Sequence, residues 1–261
     1  MPDVLNRVKI AKSFGSASKS YDVSSRLQRY TGKHLMSLLP NRTDITVVDL
    51  GSGTGFFTDI LASKYQQTIG VDISNEMLIF AQENRNKEIS WLEADAYHLP
   101  FQDNSIDVIY SNLVIQWCDH LELLVKEILR VLKPGGLFIF STLLDGTLHE
   151  LKSSWAQVDD EKHVIDFKTQ EYLETVFDNG SCKLLEQKSQ NLVLEYQNVI
   201  HLARELKGLG ANHVAKEKGK GLAGKDKWNK MTNSYQDFQE PSGIYPATYC
   251  VYSGIVVKLN D

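Results

Sequence analysis

The sequence predicts an α/β fold built on a doubly wound and largely parallel sheet. Short β-rich runs alternate with amphipathic helical patterns along much of the chain. One of these runs leads directly into a glycine-rich turn that opens a helix. The 261 residues, 42% hydrophobic and 23% charged, have the composition of an ordinary globular protein. We therefore expect a single domain, residues 1–261, with one large core.

The chain begins with a stretch that we assign as a helical arm, residues 1–40. Asp22 is the predicted cap of a helix in this arm, and Pro40 lies beyond the helix end. Apolar positions spaced three and four residues apart predict the buried stripe, which comprises Val23, Leu27, Tyr30, His34 and Leu38.

The segment 41–143 contains the regular alternation. Its clearest helical pattern runs from Leu121 to Leu132 and is closed by Lys-Pro-Gly-Gly at 133–136. Strands that alternate with helices imply parallel pairing. The predicted strands are 46–50, 68–73, 89–93, 106–112 and 137–142.

The pattern changes after Leu143. Residues 144–196 carry two helical patterns followed by two strand-like runs, at 148–157, 169–177, 183–188 and 192–196. We assign 197–246 as an insertion, beginning with a helix that carries Val199, Leu202, Ala203, Leu206 and Leu209. Its Gly-Lys-rich stretch, 216–225, is predicted to be a mobile loop. The last segment, 247–261, contains the final strand at 249–257.

Cysteine usage and hydropathy limit the class of protein. Cys118, Cys182 and Cys250 are widely spaced and form no CxxC pair, so we expect neither a disulfide framework nor a zinc site. This usage suits the cytoplasm. No apolar run approaches the roughly 20 residues that a membrane span needs, and the N-terminus lacks a signal-peptide core.

Charge is distributed unevenly along the chain. The overall net charge of −5 disfavours a general nucleic-acid binder. Residues 1–33 and 204–230 nevertheless each carry +5, which leaves −15 for the remainder. Each basic segment is either a solvated surface or a positive face that attracts an acidic partner.

The glycine-rich turn is the most informative motif. Residues 47–55 read Val-Val-Asp-Leu-Gly-Ser-Gly-Thr-Gly. A dinucleotide fingerprint starting at Gly51 would need a third glycine at the position of Phe56, and a P-loop would need Gly-Lys-Ser/Thr. Asp49 would repel a pyrophosphate but attract an amino group. Asp72, 21 residues after Gly51, is placed to accept both hydroxyls of a ribose.

This run resembles motif I of the class I S-adenosylmethionine (SAM) dependent methyltransferases. The segments 93–101, 101–112 and 132–136 resemble later motifs of those enzymes. The resemblance implies a Rossmann-like, seven-stranded, mostly parallel sheet with an antiparallel last strand. It also implies SAM as the cofactor, bound by Asp49, Gly51, Gly53, Gly55, Asp72, Ile73, Asp95, Ala96, Asn112 and Leu113.

The flanking sequence resembles the malonyl-[acyl-carrier protein] O-methyltransferases of biotin synthesis, the BioC family. The match departs at Ala247, where the family often has leucine. The resemblance implies methylation of the carboxylate of a malonyl thioester, on a carrier protein or on coenzyme A. It is carried by residues 10–17, 21–22, 27–28, 111–118, 140–143, 146–151, 206–213, 221–224 and 245–249.

That substrate needs no general base, because a carboxylate with a pKa near ~4 is already ionised at pH 7. It does need a group that holds one carboxylate oxygen, and we hypothesise that Arg204 does so. Lys207 lies three residues further on the same helix face. The other residues assigned to catalysis or substrate binding are Tyr21, Gln116, Trp117 and His213.

Acyl-carrier proteins are acidic, so the basic segments gain a docking role. The predicted docking residues are Arg26, Arg29, Lys216, Lys218, Lys220 and Lys225. We expect a monomer with no nucleic-acid or membrane partner. Three other readings stay open: methylation of another small carboxylate or a quinone precursor, SAM binding without turnover, and a nicotinamide dehydrogenase.

Overall fold

The computed structural model describes residues 4–211 and 222–260, which contain a seven-stranded sheet of order β3-β2-β1-β4-β5-β7-β6. Neighbouring strands from β3 to β5 pair parallel, whereas β7 runs antiparallel to both β5 and β6. This confirms the predicted fold. The strands are β1 (Thr46–Leu50), β2 (Gln67–Asp72), β3 (Ser90–Glu93), β4 (Ile106–Asn112), β5 (Leu132–Leu143), β6 (Cys182–Tyr196) and β7 (Tyr245–Lys258).

Helices connect the strands, and short 3₁₀ turns occupy Ile115–Trp117 and Gln236–Phe238. No described helix is both long enough and apolar enough to span a bilayer. The helices are α1 (Val4–Ser24), α2 (Arg26–Ser37), α3 (Phe56–Ala62), α4 (Asn75–Asn84), α5 (Leu121–Val131), α6 (His149–Ala156), α7 (Gln170–Phe177), α8 (Val199–Gly208) and α9 (Leu222–Tyr235).

The core lies on both faces of the sheet. Successive residues of a strand point to opposite faces, so Ile109 of β4 packs in the cluster that includes Leu124 of α5. Its neighbour Tyr110 packs with Leu35 of α2 on the other face. A third cluster lies beneath the insertion, where Met231 of α9 is fully buried.

The arm differs from the sequence prediction. Asp22 lies in the last turn of α1 and caps no helix, because the chain breaks at Ser25 and α2 begins afresh at Arg26. The predicted stripe is therefore wrong at Val23, which is 87% exposed, and at Tyr30, which is 51% exposed, whereas Leu27 is buried as predicted. The face of α2 that is buried comprises Leu27, Thr31, Gly32 and Leu35.

The C-terminal third also departs from the prediction. The two strand-like runs form one strand, β6, since it pairs with β7 along nearly its whole length. The turn at 133–136 lies within β5, where pairing with β4 shifts register. Residues 222–225, predicted as loop, belong to α9, and the rest of that loop lies outside the described residues. Packing of Tyr235, which is fully buried, fixes the end of this helix.

Candidate active site

The glycine turn joins β1 to α3 in a backbone conformation that side chains disfavour. Gly51, Gly53 and Gly55 have φ angles of 75°, 54° and 76°. A Cβ atom at Gly51 would lie 2.3 Å from Val114, and one at Gly55 would lie 2.4 Å from the Trp91 ring. Glycine is therefore required here by both backbone strain and close packing.

Two acids flank this turn. Asp72 accepts hydrogen bonds from the backbone N–H groups of Gly53 and Ser74, each at 2.8 Å. Burial raises the pKa of Asp72, while those two N–H donors oppose the rise. Asp49 is 3% exposed and accepts a 2.6 Å hydrogen bond from the Thr58 hydroxyl. Burial raises the pKa of Asp49 to about 7.

A cavity of about 800 Å³, including its open mouth, lies along the carboxyl ends of β1, β2 and β4. We call it the turn cavity. Ligands of open α/β sheets bind at this edge. Eight of the ten residues predicted to bind the cofactor line it, namely Gly51, Gly53, Asp72, Ile73, Asp95, Ala96, Asn112 and Leu113.

The other two predicted residues lie beside the turn cavity. Gly55 packs against Trp91. Asp49 faces a small cavity of about 400 Å³, also including open space, which shares Tyr21, Gly51 and Asn112 with the turn cavity. This small cavity is lined further by Asp22, Ser25, Gln28, Arg29, Ser52, Thr54, Phe56, Phe57 and Tyr110.

Helix α1 is fastened to the sheet edge near both of its ends. Arg7 forms an ion pair with Asp95, whose other oxygen accepts a 3.1 Å hydrogen bond from the Tyr97 N–H. Asp22 pairs with Arg85 and accepts a 2.5 Å hydrogen bond from the Thr54 hydroxyl. The arm thereby contributes Arg7 and Tyr21 to the wall of the turn cavity.

The side chain of Asn112 ties the arm to the end of β4. Its Oδ1 accepts hydrogen bonds from Thr31 at 2.7 Å and Ser141 at 2.8 Å, and its Nδ2 donates to the Gln28 carbonyl at 2.9 Å. Asn112 therefore shapes the cavity wall with an amide already engaged in the protein. Leu113 follows with a φ of 57°, which turns the chain into the 3₁₀ segment.

A second cavity of about 780 Å³, measured with its mouth, opens beside the first, and we call it the adjoining cavity. The two share Phe14, Tyr21, Leu113 and Trp117. Apolar side chains make most of the second lining, a composition typical of small-molecule sites. The polar side chains that line the adjoining cavity are Tyr21, Gln28, Gln116, Trp117, His163, Glu205 and Tyr249.

Tyr21, Gln116 and Trp117, assigned to catalysis from the sequence, meet at the junction of these cavities. Tyr21 lines both, and burial, together with the nearby Asp72 carboxyl, raises its pKa, so the phenol stays neutral. Gln116 donates to the Leu113 carbonyl at 2.7 Å and accepts from the Thr142 hydroxyl at 3.2 Å. Trp117 contacts the edge of the Phe14 ring at 5.2 Å between centroids.

Comparison with known proteins decides the family. Residues 48–140 match the family described as "Methyltransferase domain". The malonyl-[acyl-carrier protein] O-methyltransferase of Yersinia pestis is 33% identical over 97% of this chain and 92% of its own length. That of Pectobacterium atrosepticum is 32% identical over 97% of both chains. The chain belongs to the malonyl-[acyl-carrier protein] O-methyltransferase family.

Further relatives agree with this assignment. The biotin biosynthesis bifunctional protein BioHC of Cellvibrio japonicus is 38% identical, and the present chain spans about half of it, 51%. Among solved structures, the YcgJ protein of Bacillus subtilis has the same fold, with a TM-score of 0.61, 17% identity, and coverage of 89% of this chain and 100% of that one. This methyltransferase uses SAM as its methyl donor.

Buried polar atoms that lack a hydrogen-bond partner around the turn are consistent with binding of a polar ligand such as SAM. Arg7 Nε, Ser52 Oγ and Gln28 Oε1 are buried without a hydrogen-bond partner in the described protein. Each belongs to a residue that lines one of the cavities around the turn. Buried polar atoms are rarely left unsatisfied in native proteins, so a polar ligand is expected there. Bound SAM supplies the transferable methyl group.

His163, which the sequence did not single out, also lines the adjoining cavity of the methyltransferase. It is the one side chain with a basic group in the described lining of the adjoining cavity. Its Nε2 lies 2.8 Å from Asp159, and its ring stacks on Trp155 with centroids 3.7 Å apart. The pKa of Asp159 is lowered to about 2, mainly by its hydrogen bond with Lys227 and to a smaller extent by the one with His163. The only feature of the sequence that could have indicated His163 is Asp159, an acidic residue four positions before it.

The structure does not bring Arg204 to either cavity of this methyltransferase. Helix α8 buries Val199 and Leu202, so Arg204 is exposed on another side and is absent from the described linings. The next residue, Glu205, faces the adjoining cavity. Lys207 is exposed beside a further groove. His213, Lys216, Lys218 and Lys220 lie outside the described residues.

The docking residues predicted in the arm are engaged within the methyltransferase. Arg26 pairs with Glu205 at 2.7 Å and lies over the Tyr196 ring at 4.8 Å. Arg29 lies over the Phe56 ring at 3.6 Å and lines the small cavity, which differs from the expected exposed position. Lys225 is exposed near the start of α9.

Proposed function

We propose that this methyltransferase transfers the methyl group of SAM to the free carboxylate of a malonyl group on acyl-carrier protein, an early step of biotin synthesis. The products are S-adenosylhomocysteine and a malonyl methyl ester. The observation that carries the proposal is the apolar adjoining cavity, which meets the turn cavity at Tyr21, Leu113 and Trp117. The named activity of the full-length relatives supports the acceptor.

The chemistry fits an apolar chamber. A sulfonium and a carboxylate react to form a neutral sulfide and a neutral ester, so exclusion of water assists the reaction. Alignment of the two reactants supplies most of the acceleration. Because the acceptor is already ionised at pH 7, the neutral Tyr21 phenol need not act as a base.

An anionic acceptor needs a donor group in this lining, because a buried unpaired charge is costly. His163 meets that need better than the exposed Arg204. A protonated His163 can donate from Nε2 to the ionised Asp159 and from Nδ1 to the malonyl carboxylate. Gln116 is held by hydrogen bonds at both of its amide atoms and presents a rigid polar wall nearby.

The acidic carrier protein is expected to dock on exposed basic groups around the insertion. Lys207 and Lys225 are exposed, and Arg26 is half-exposed despite its pair with Glu205. Electrostatic attraction of this kind raises the association rate and weakens with salt. We infer that the enzyme acts in the cytoplasm as a monomer.

One assay tests the proposed function. SAM with a labelled methyl group is incubated with malonyl-carrier protein, malonyl-coenzyme A, free malonate and a quinone precursor. The proposal expects a base-labile labelled ester on the carrier. Label on the free acid or the quinone precursor instead would establish a different acceptor. Binding of S-adenosylhomocysteine with no transfer to any acceptor would indicate a SAM-binding protein without turnover.

A further inference from the structure

The small cavity beside the glycine turn shares part of its lining with the turn cavity but is not explained by adenosine binding. Tyr21, Gly51 and Asn112 line both cavities. The two acids expected to contact the adenosine part, Asp72 and Asp95, line only the turn cavity. A ligand that fills the turn cavity can therefore extend a further polar group into the small one.

Arg29 is a half-buried cation without an acidic partner in this small cavity. Its guanidinium lies flat over Phe56 at 3.6 Å, and its one hydrogen bond among the described residues is a 3.4 Å contact with the Asp22 carbonyl. Three other arginines around the arm, at 7, 26 and 85, each pair with a carboxylate. The charge of Arg29 is thus available for an anion that enters the cavity.

Two buried polar atoms without a hydrogen-bond partner belong to residues that line the same cavity. The Ser52 hydroxyl is buried without a hydrogen-bond partner, although its backbone N–H donates to the Val71 carbonyl at 3.0 Å. Gln28 Oε1 is likewise buried and unsatisfied. Since native proteins satisfy nearly all buried polar atoms, these atoms indicate a polar ligand group.

The small cavity also has carboxyl groups in its lining, of which that of Asp22 is paired with Arg85. Asp49 lines it, and the bond from Thr58 engages only one of its carboxyl oxygens. A cation and a carboxyl group facing one cavity suit a zwitterion, which carries both charges on neighbouring atoms. The α-amino and α-carboxylate groups of the methionyl tail of SAM form such a zwitterion.

We propose that Arg29 binds the α-carboxylate of the methionyl tail, with the Ser52 hydroxyl as a second donor and Asp49 on the ammonium side. In this proposal Arg29 recognises the cofactor. The sequence had instead predicted that Arg29 docks the carrier protein. S-Adenosylhomocysteine keeps the same tail, so Arg29 holds donor and product alike. Loss of such uniform binding raises KM for SAM and leaves kcat nearly unchanged.

Calorimetric titration separates tail binding from adenosine binding. S-Adenosylhomocysteine carries the tail, whereas 5′-methylthioadenosine lacks it. Arg29→Gln is expected to weaken S-adenosylhomocysteine about 10- to 100-fold and to change 5′-methylthioadenosine by less than about twofold. Arg29→Lys keeps the charge and should restore part of the affinity. Lys33→Gln, at an exposed position of the same helix, is the matched control and should change neither ligand.

The wild-type chain provides a test that does not depend on a variant folding. Decarboxylated SAM lacks only the α-carboxylate, and it should bind about tenfold or more weakly than SAM. Equal affinity for these two ligands would overturn the proposal. The proposal would also be overturned if Arg29→Gln weakened the binding of S-adenosylhomocysteine and of 5′-methylthioadenosine equally. That result would mean that Arg29 only supports the Phe56 ring. Neither readout involves the acceptor, so failure here is distinct from failure of the malonyl proposal.

Discussion

The backbone N–H of Gly53 donates to Oδ2 of Asp72 at 2.8 Å, joining the turn after β1 to the end of β2. The second carboxylate oxygen accepts from Ser74 N–H at the same distance. Two fixed donors orient the carboxylate, and each oxygen keeps a further lone pair for a ligand in the turn cavity. The acid therefore supports the turn, and we expect its remaining lone pairs to accept hydrogen bonds from the ribose of the donor.

Asp72→Asn tests this arrangement. The amide replaces one acceptor oxygen by a donor, so we expect S-adenosylhomocysteine to bind about 10- to 100-fold more weakly. Calorimetry measures the change. Glu93→Gln is the matched control, because Glu93 is the register partner of Asp72 on β3 yet is exposed. Equal losses in the two variants would exclude a specific role for Asp72.

Affinity for SAM should rise with pH through the range of the Asp49 titration. Burial raises the pKa of Asp49 to about 7 in the free protein, so the carboxyl is largely protonated at pH 6 and largely ionised at pH 8. The SAM ammonium favours the ionised form, and binding at pH 6 must therefore release a proton. Titrations in buffers of different ionisation enthalpy would detect this release. Asp49→Asn should abolish it; an unchanged pH profile in that variant would contradict the assignment.

Two glycines of the turn should differ in their tolerance of alanine. Gly53 has a positive φ but open space where a Cβ would stand, so Gly53→Ala should cost about 1–2 kcal/mol of unfolding free energy. Gly55→Ala adds a clash with Trp91 and should cost about 1–3 kcal/mol more. Urea denaturation of the two variants measures the difference. Similar losses would show that Trp91 moves aside freely.

His163 and Arg204 offer competing routes to the acceptor carboxylate. His163→Gln should raise the acceptor KM by about tenfold or more and leave S-adenosylhomocysteine affinity intact, since His163 lines the adjoining cavity and not the turn cavity. Arg204→Ala, at an exposed position, should have a much smaller effect. The reverse ranking in steady-state kinetics would restore the hypothesis drawn from the sequence.

Carrier docking should be sensitive to salt. If exposed Lys207 and Lys225 attract the acidic carrier, KM for malonyl-carrier protein should rise with ionic strength, because surface charges are screened. Lys207→Gln and Lys225→Gln together should flatten that rise. A KM for the carrier that is constant from low to high salt would argue against electrostatic docking.

The sequence predicts most of the turn cavity, since Gly51, Asp72 and Ile73 lie at fixed positions in strand–turn–helix units. Local geometry is enough to place such residues. It does not predict the partners of Asp22, because Arg85 and Thr54 become its neighbours only when α1 packs across the sheet edge. His163 was missed for a similar reason: its ring is positioned by Trp155 and Asp159 in a segment without periodicity.

The intact mass of malonyl-carrier protein after incubation with SAM and this enzyme tests methyl transfer to the malonyl group itself. We expect the carrier to gain the mass of one methyl group in place of a proton. Mild base should remove the gain, and an acetyl-carrier control, which lacks the free carboxylate, should show none. An unchanged malonyl carrier, under conditions where S-adenosylhomocysteine binds, would contradict the account.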